Sequence, residues 1–389
     1  YDGDRLTVWE STQGVFRVRD ELARALGMPR SAVRVLMDYM GGGFGAKNHA
    51  GAHTIAAALF ARRSGLPVRC VLDRAGEQLD TGHRPMTVQR VTLGARRDGR
   101  LTAILADTWV ALGVGGWDGG PAQIYHQMYS CPNVRTTERY VYTHSQPMTA
   151  FRGPGHTEGA FGLERAMDTL AGELGIDPLD LRLRNFAERD ERKAREYSSN
   201  QLRRCYTEAA ERFGWAQRAK RRGGDGTTVA RGFGVASQVW PAGGGPPAHA
   251  TITMHSDGTA EVLSGTQDLG TGARTILAQI AAESLGARLQ DTRVVTGDTE
   301  RTPYSGNSWG SMTTASVGPA VRMAALDARA KILEAAAEIL ECGPDDLDAR
   351  DSKIFTADGT CVLTFADVMK RLKNVMIFGH GTRGPNEQN

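Results

Sequence analysis

A chain of 389 residues, 40% hydrophobic and 23% charged, is long enough for two or three domains with sizeable cores. Its net charge of +3 is nearly balanced, which argues against a nucleic-acid partner. No apolar run approaches the roughly 20 residues that span a bilayer, which argues against a membrane protein. No signal peptide is expected, and the start at Tyr1, close to a strand, reads as that of a processed, split or trimmed chain.

In chain order, a strand is expected at Leu6-Thr7-Val8-Trp9, then a helical run ending Ala25-Leu26-Gly27, then a strand at Val33-Arg34-Val35-Leu36-Met37. A turn follows, Gly41-Gly42-Gly43-Phe44-Gly45-Ala46-Lys47. Its consecutive glycines leave backbone clear of side chains, able to reach positive φ and press N–H groups against a large, electron-rich ligand. Arg97-Asp98-Gly99 separates two strand-like runs and signals a hairpin. Asp177-Pro178 supplies an N-cap and a proline at the first helical position. The charged stretch 188–196 reads as a solvated connection. Helical periodicity resumes over about 200–213, and the basic run 218–224 reads as a solvated linker. Ser256-Asp257-Gly258 signals a second hairpin. Gln267-Asp268-Leu269-Gly270-Thr271-Gly272 opens onto an apolar, helix-periodic run whose N-terminus would offer an anion site. A long helix is expected over about 319–340, and 345–372 reads as a small appendage with a capping box at Thr364 and Asp367. The five cysteines, Cys70, Cys131, Cys205, Cys342 and Cys361, form no C-x-x-C pair, which fits reduced thiols in a bacterial cytosol.

Two stretches share one order. Strand, Thr12-Gln13, helix, Leu26-Gly27, strand and glycine-rich loop are matched by strand, Thr266-Gln267, helix, Leu285-Gly286, strand and a loop with Gly306 and Gly310. Six matched elements in one order point to an internal repeat. The expected fold is therefore mixed α/β (α+β), with two homologous domains. Their expected extents are 1–189 and 229–389, joined by a helical and charged connection over 190–228.

The residues then match a family. Ser11-Thr12-Gln13, the 41–47 loop, Thr149-Ala150-Phe151-Arg152-Gly153-Pro154-Gly155, Gly175-Ile176-Asp177-Pro178, the 267–272 turn and Thr313-Thr314-Ala315-Ser316 occur in this order across nearly the whole chain. In this the chain resembles the molybdenum-cofactor-binding subunit of the xanthine dehydrogenase/aldehyde oxidase family, in its bacterial form that binds molybdopterin cytosine dinucleotide. The resemblance implies that Gln13 hydrogen-bonds the apical oxygen ligand of molybdenum. Phe44 with Gly42, Gly43 and Gly45, and Arg152 from the other side, would approach the metal through backbone N–H groups. Gln267, Gly270, Thr271 and Gly272 would contact the pterin and its phosphate, and Thr313, Thr314, Ala315 and Ser316 the pyrophosphate. No side chain ligates the metal, which the pterin dithiolene holds.

The departures from the family pattern carry information too. The family's general-base glutamate lies in a Gly-x-Gly-Glu context that does not occur before Asn389, and the family's domain ahead of the Thr-Gln motif is missing. The resemblance therefore implies one segment, the middle, of a complete subunit. Asn48 stands where purine-oxidising members carry glutamate, the region of Gly119 and Gly120 holds no arginine, and Pro154 replaces an aromatic. Asn48, Pro154 and Trp240 are thus the expected substrate pocket, with Trp117 and Tyr125 as further candidates for a wall. An aldehyde or aromatic substrate is expected over xanthine. His49 and His53, at i and i+4, lack the glutamate of a metalloprotease helix.

The reading is a molybdenum hydroxylase segment that oxidises aldehydes or activated C–H carbons with water as oxygen source. It would pass electrons to [2Fe–2S] and FAD partner subunits in the bacterial cytoplasm, with a periplasmic location left open through a partner's signal. The remaining part of the molybdenum subunit and a small-molecule substrate complete the expected partners. Three rivals stay open: an N-heterocycle hydroxylase, a non-catalytic cofactor-binding paralogue, and an unrelated nucleotide-binding protein.

Overall fold

The structure is a computed structural model that describes residues 1–117, 119–218, 228, 230–241, 243–373 and 375–384. Compact folding does not follow the linear order. Tyr1–Thr81 folds together with Ala242–Asn389, and Gly82–Pro241 forms a unit of its own.

The first unit contains the repeat. Strand Leu6–Trp9 pairs in parallel with Val33–Leu36 across helix Val15–Leu26, and strand Ala260–Ser264 pairs in parallel with Thr292–Thr296 across helix Ala273–Leu285. Both helices end on a left-handed glycine, Gly27 at φ 64° and Gly286 at φ 82°, a conformation that costs glycine nothing. The copies are stitched to each other where their second strands end. The Met37 N–H donates to Gly297 O at 2.7 Å, and the Arg34 guanidinium grips both oxygens of Asp298 at 3.0 and 2.6 Å.

The second copy sits in a larger sheet, in the order Thr292–Thr296, Ala260–Ser264, Ala248–Met254, Ile377–Arg383. The expected hairpin joins its middle strands. Helix Thr313–Leu340 covers the sheet, and its Ala320, Ala324 and Ala328 are fully buried with Ile252 and Val262. A Cβ at Gly381 would lie 1.9 Å from Ala320 O, so the glycine lets the helix backbone lie directly on the strand. The helix starts six residues ahead of the expected start at Pro319. Proline lacks the N–H that would bond Ala315 O, but the Arg383 guanidinium donates to that carbonyl instead, so the helix runs through. A small antiparallel sheet, Leu347–Arg350, Lys353–Thr356 and Cys361–Thr364, leads into helix Phe365–Leu372, capped by Thr364 and Asp367 as expected.

In the second unit, Leu101–Gly113 is the central strand between antiparallel Thr87–Ala95 and parallel Val134–Tyr142. Helix His156–Leu174 packs on this sheet, burying Leu163 and Met167 with Ile104. Helix Pro178–Asn185 carries the expected cap, with the Leu179 N–H donating to Asp177 Oδ1 at 2.8 Å. Arg182 is fully buried and bonds Glu164 Oε2 at 2.8 Å. Helix Leu202–Phe213 matches the expected periodicity. Of the basic run at 218–224, residues 219–224 lie outside the described residues. Arg218 is not simply solvated: it pairs with Asp177 and lies 4.0 Å over the Trp215 ring.

Candidate functional site in the repeat unit

Gln13 is 2% exposed, held between two loops. Its Oε1 accepts from the N–H groups of Gly45 at 2.8 Å and Lys47 at 3.3 Å, and its Nε2 donates to Ser308 O at 2.8 Å. The Gln13 backbone N–H donates to Lys47 O at 2.7 Å. Gly43 is dictated by that packing. A Cβ at Gly43 would lie 2.5 Å from Gln13 Oε1, and Gly42 and Gly45 sit at φ 102° and 100°. Phe44 takes φ 53° with its ring 52% exposed, an uncommon backbone for a bulky residue that marks the loop as held by its surroundings.

Asn48 follows the loop and is 4% exposed. Its Nδ2 donates to Gly45 O at 2.8 Å, which leaves Oδ1 buried without a partner. His49 and His53 do not form a site: His49 Nδ1 meets Glu21 Oε1 at 3.0 Å, and His53 packs under Gly51. Burial pulls the Glu21 carboxyl up. Hydrogen bonds from His49, the Ala50 N–H and Arg17 outweigh that and bring it to about 2. Among the described residues no cluster of His, Cys, Asp or Glu could hold a metal ion.

At the second turn the chain fills its own anion site. The Asp268 carboxylate accepts from the N–H groups of Gly270 at 3.0 Å, Gly272 at 3.2 Å and Arg274 at 3.0 Å. Burial raises its pKa, but these bonds lower it further, leaving it below the usual carboxylate range. The expected anion site at the start of helix Ala273–Leu285 is therefore taken by a carboxylate five residues upstream. Gly270 and Gly272, at φ 88° and 79°, have open space where a Cβ would stand. Gln267 is fully buried and turned inward: its Nε2 donates to Gly265 O at 2.7 Å, and its Oε1 accepts from the Ser308 N–H at 3.2 Å. Both ends of its amide are bonded within the protein, as are those of Gln13.

A cleft of about 550 Å³ opens in the same unit, lined among others by Phe16, Tyr304, Asn307, Trp309 and Thr313. Helix Thr313–Leu340 begins on it with no side-chain cap. Ser305 Oγ and Asn307 Nδ2, on the cleft wall, are buried and without partners. Ser316 lines it too, but its hydroxyl donates to Met312 O and accepts from the Gly245 N–H, each at 2.7 Å. Thr313 is half-buried, whereas Thr314 and Ala315 are exposed.

The second unit holds Arg152, Pro154 and Trp240. Arg152 is exposed. Its carbonyl accepts from Arg84 at 2.8 Å and from Thr157 Oγ1 at 3.2 Å, and Arg84 also pairs with buried Glu158 at 3.0 Å. Trp240 is half-buried and meets the His156 ring edge-on at 5.0 Å. Tyr125 is a correction: it is fully buried among Ile104 and Leu163, its hydroxyl on Gln89 Oε1 at 2.8 Å, so it packs the core. Trp117 is exposed. The sequence shows Ser308 only as part of a hydroxyl-rich run ahead of the helix; that it bonds both Thr-Gln pairs, and that Arg84 steadies Arg152, is not legible there. Sequence reasoning missed Asp268 as a cap, although an Asp just ahead of two glycines and a helix is a local signal.

Comparison with known proteins agrees with this architecture. A family profile described as a molybdopterin cofactor-binding domain matches residues 1–186, and a second of the same description matches residues 208–387. The aldehyde oxidoreductase molybdenum-binding subunit PaoC of Escherichia coli O157:H7 is 33% identical over 382 residues, 96% of this chain and 50% of the relative. The putative xanthine dehydrogenase molybdenum-binding subunit XdhA of Escherichia coli (strain K12) is 33% identical over 85% of this chain and 46% of its own length. Quinoline 2-oxidoreductase from Pseudomonas putida 86 shares the fold, with a TM-score of 0.82 at 24% identity over 98% of this chain and 53% of that one. This chain spans about half the length of the curated relatives it matches. With two such domains in tandem over nearly its whole length, the chain belongs to the molybdopterin cofactor-binding family of the aldehyde oxidoreductase and xanthine dehydrogenase molybdenum subunits.

Proposed function

We propose that this chain is the cofactor-holding part of a molybdenum hydroxylase, an oxidoreductase acting on aldehydes or activated C–H carbons with water as the oxygen source. The cleft in the repeat unit carries the proposal. Two orphaned buried polar atoms, Ser305 Oγ and Asn307 Nδ2, stand beside the uncapped start of a 28-residue helix. Unpartnered donors at a helix N-terminus suit a pyrophosphate, and the Trp309 and Tyr304 rings on the same cleft suit a base. These residues fit the dinucleotide end of molybdopterin cytosine dinucleotide.

When bound, the pterin-held molybdenum supplies the two-electron oxidation of the substrate carbon. The chain's own residues orient and enclose. Gln13 fixes the 41–47 loop, whose Phe44 and glycine N–H groups face the metal side in this reading. Arg152, whose carbonyl Arg84 steadies within its own unit, would serve the cofactor through its backbone N–H, as the family resemblance implies. Thr313 with Thr314, Ala315 and Ser316 frames the pyrophosphate, while Gly270 and Thr271 flank the pterin. An iron–sulfur subunit, an FAD subunit and the remainder of the molybdenum subunit complete the proposed complex. The relatives' names as molybdenum-binding subunits support this. A bacterial cytoplasmic location is proposed on the five free cysteines.

Acid hydrolysis of the complete complex should release CMP in equal amount with molybdenum. Active enzyme containing neither molybdenum nor tungsten would overturn the reading.

A second reading has its own observation. The buried, unpaired Asn48 Oδ1 can accept a hydrogen bond and so favours a substrate with a ring N–H, an N-heterocycle. Comparing kcat/KM for benzaldehyde, quinoline and xanthine separates the two. The first reading expects benzaldehyde to lead, and expects Trp240→Ala to weaken it more than acetaldehyde because ring contact is lost. A lead for xanthine, whose rings carry N–H groups, would favour the second, with quinoline as the heterocycle that lacks an N–H. Equal losses for both aldehydes would leave Trp240 as packing only.

A further inference from the structure

Both Thr-Gln pairs of the repeat converge on one residue, Ser308. It is 3% exposed and sits in an irregular stretch with no motif of its own. Its hydroxyl is spent on the second copy: Oγ donates to Gln267 O at 2.8 Å, accepts from the Gln267 N–H at 3.3 Å and meets Thr266 Oγ1 at 3.2 Å. Its main chain is spent on the first copy. The Ser308 N–H donates to Gln13 O at 2.8 Å and is shared with Gln267 Oε1 at 3.2 Å, while its carbonyl accepts from Gln13 Nε2 at 2.8 Å.

This arrangement decides which way the Gln13 amide faces. A glutamine amide has one acceptor end and one donor end. The Ser308 carbonyl takes only a donor, so it draws Nε2 and leaves Oε1 to receive the N–H groups of Gly45 and Lys47. The remaining Nε2 hydrogen has no partner among the described residues. Without the hydroxyl, the Ser308 main chain would lose its anchor on Thr266 and Gln267, and the carbonyl that orients Gln13 would be free to drift.

We infer that Ser308 is a positioning residue. Its hydroxyl locks the second copy to the carbonyl that orients Gln13, and through Gln13 it holds the 41–47 loop in its positive-φ form. The inference rests on the proposed function only where it says that this loop faces the cofactor.

The test uses the complete complex with its metal. Ser308→Ala should raise amide hydrogen exchange at Gly45 and Lys47 roughly tenfold, about the effect of one buried hydrogen bond. Exchange in helices Val15–Leu26 and Ala273–Leu285 should stay unchanged, and the electron paramagnetic resonance signal of the molybdenum should shift. Ser308→Thr, which keeps the hydroxyl, should restore both readouts. Thr266→Val removes one contact to the same hydroxyl and should give a smaller rise in loop exchange, which keeps the test open if Ser308→Ala does not fold. Unchanged exchange at Gly45 and Lys47 in both Ser308→Ala and Thr266→Val overturns the inference. Raised exchange with an unchanged metal signal supports the positioning role and overturns instead the reading that this loop faces the cofactor.

Discussion

The two Thr-Gln pairs started from one plan and now do different work. Gln13 and Gln267 follow their strands at the same spacing, and both touch Ser308. Gln267 closes on its own neighbourhood, bonding a carbonyl two residues back. Gln13 reaches into a loop 32 residues on, whose tip carries a half-exposed phenylalanine. The helices that follow differ as well. The second copy's turn is capped from inside by Asp268, while the first copy's helix starts at Gly14 with no side-chain cap. A repeated unit therefore keeps its frame in both copies but leaves a polar group directed at an open loop in only one. The second copy's pair holds its own turn; the first copy's pair holds a distant glycine-rich loop.

The sharpest break of this comparison is a pair of substitutions. Gln13→Leu should lower turnover of the assembled complex by roughly a hundredfold or more, since it removes the group that preorganises the loop. Gln267→Leu strands the buried Gly265 carbonyl, costing about 1–3 kcal/mol of stability. It should lower Tm while turnover per folded molecule falls less than roughly tenfold. Steady-state kinetics with thermal melts would check this, and equal turnover losses would erase the division of labour.

Glycine positions sharpen it within one loop. Gly43→Ala places a Cβ against the Gln13 amide and should cost about 1–3 kcal/mol through displaced packing. Gly41→Ala meets nothing within 4 Å and should lie within about 0.5 kcal/mol of the parent. Denaturant midpoints that rank these the other way would mean that Gln13 does not hold the loop as described.

The second copy's internal cap predicts a smaller effect. Asp268→Ala should cost about 1 kcal/mol by losing the cap. The folded pKa of Asp268 lies below its usual value, so the carboxylate's contribution is present above that usual value and is lost as pH falls through the lower, folded one. The parent should lose this stability on acidification while the alanine variant has none to lose. Glu21 gives the last and mildest contrast, in the first copy. With its carboxyl brought from 4.5 to about 2, its contribution is complete above pH 4.5 and disappears as pH falls toward about 2. In Glu21→Gln that part of the acid transition should flatten, and an unaltered acid limb would show that His49 and Arg17 do not hold the carboxylate in solution.

Much of the frame was legible because it depends on neighbours in sequence. The repeat was readable from strand, Thr-Gln, helix and Leu-Gly in the same order, and the structure has both parallel pairs where those elements stand. Linear order was less informative about compactness. The first 81 residues fold with the C-terminal part because the Arg34 to Met37 segment bonds 297–298, a pairing that no local pattern announces. Backbone features of the glycine-rich loop were legible, and side-chain directions were not. Gly42 and Gly45 have the positive φ that their run implied, and Gly43 lies tight against Gln13. Gln267 and Tyr125 turned inward, because a side chain's direction is set by what packs against it.

By itself, the sequence determined the short-range features. Among them are the hairpin turns at Asp98-Gly99 and Asp257-Gly258, the Asp177 and Thr364 caps, and the glycine ends of the repeated helices. Each needs only a few adjacent residues with a particular φ or a short polar side chain. Tertiary structure decided what hangs on distant partners. Helix Thr313–Leu340 runs through Pro319 because Arg383 takes the Ala315 carbonyl. The Gln13 amide faces one way because Ser308, 295 residues away, offers it an acceptor. A buried polar group must find its partner wherever the fold brings one, and that choice is made by packing rather than by the order of residues along the chain.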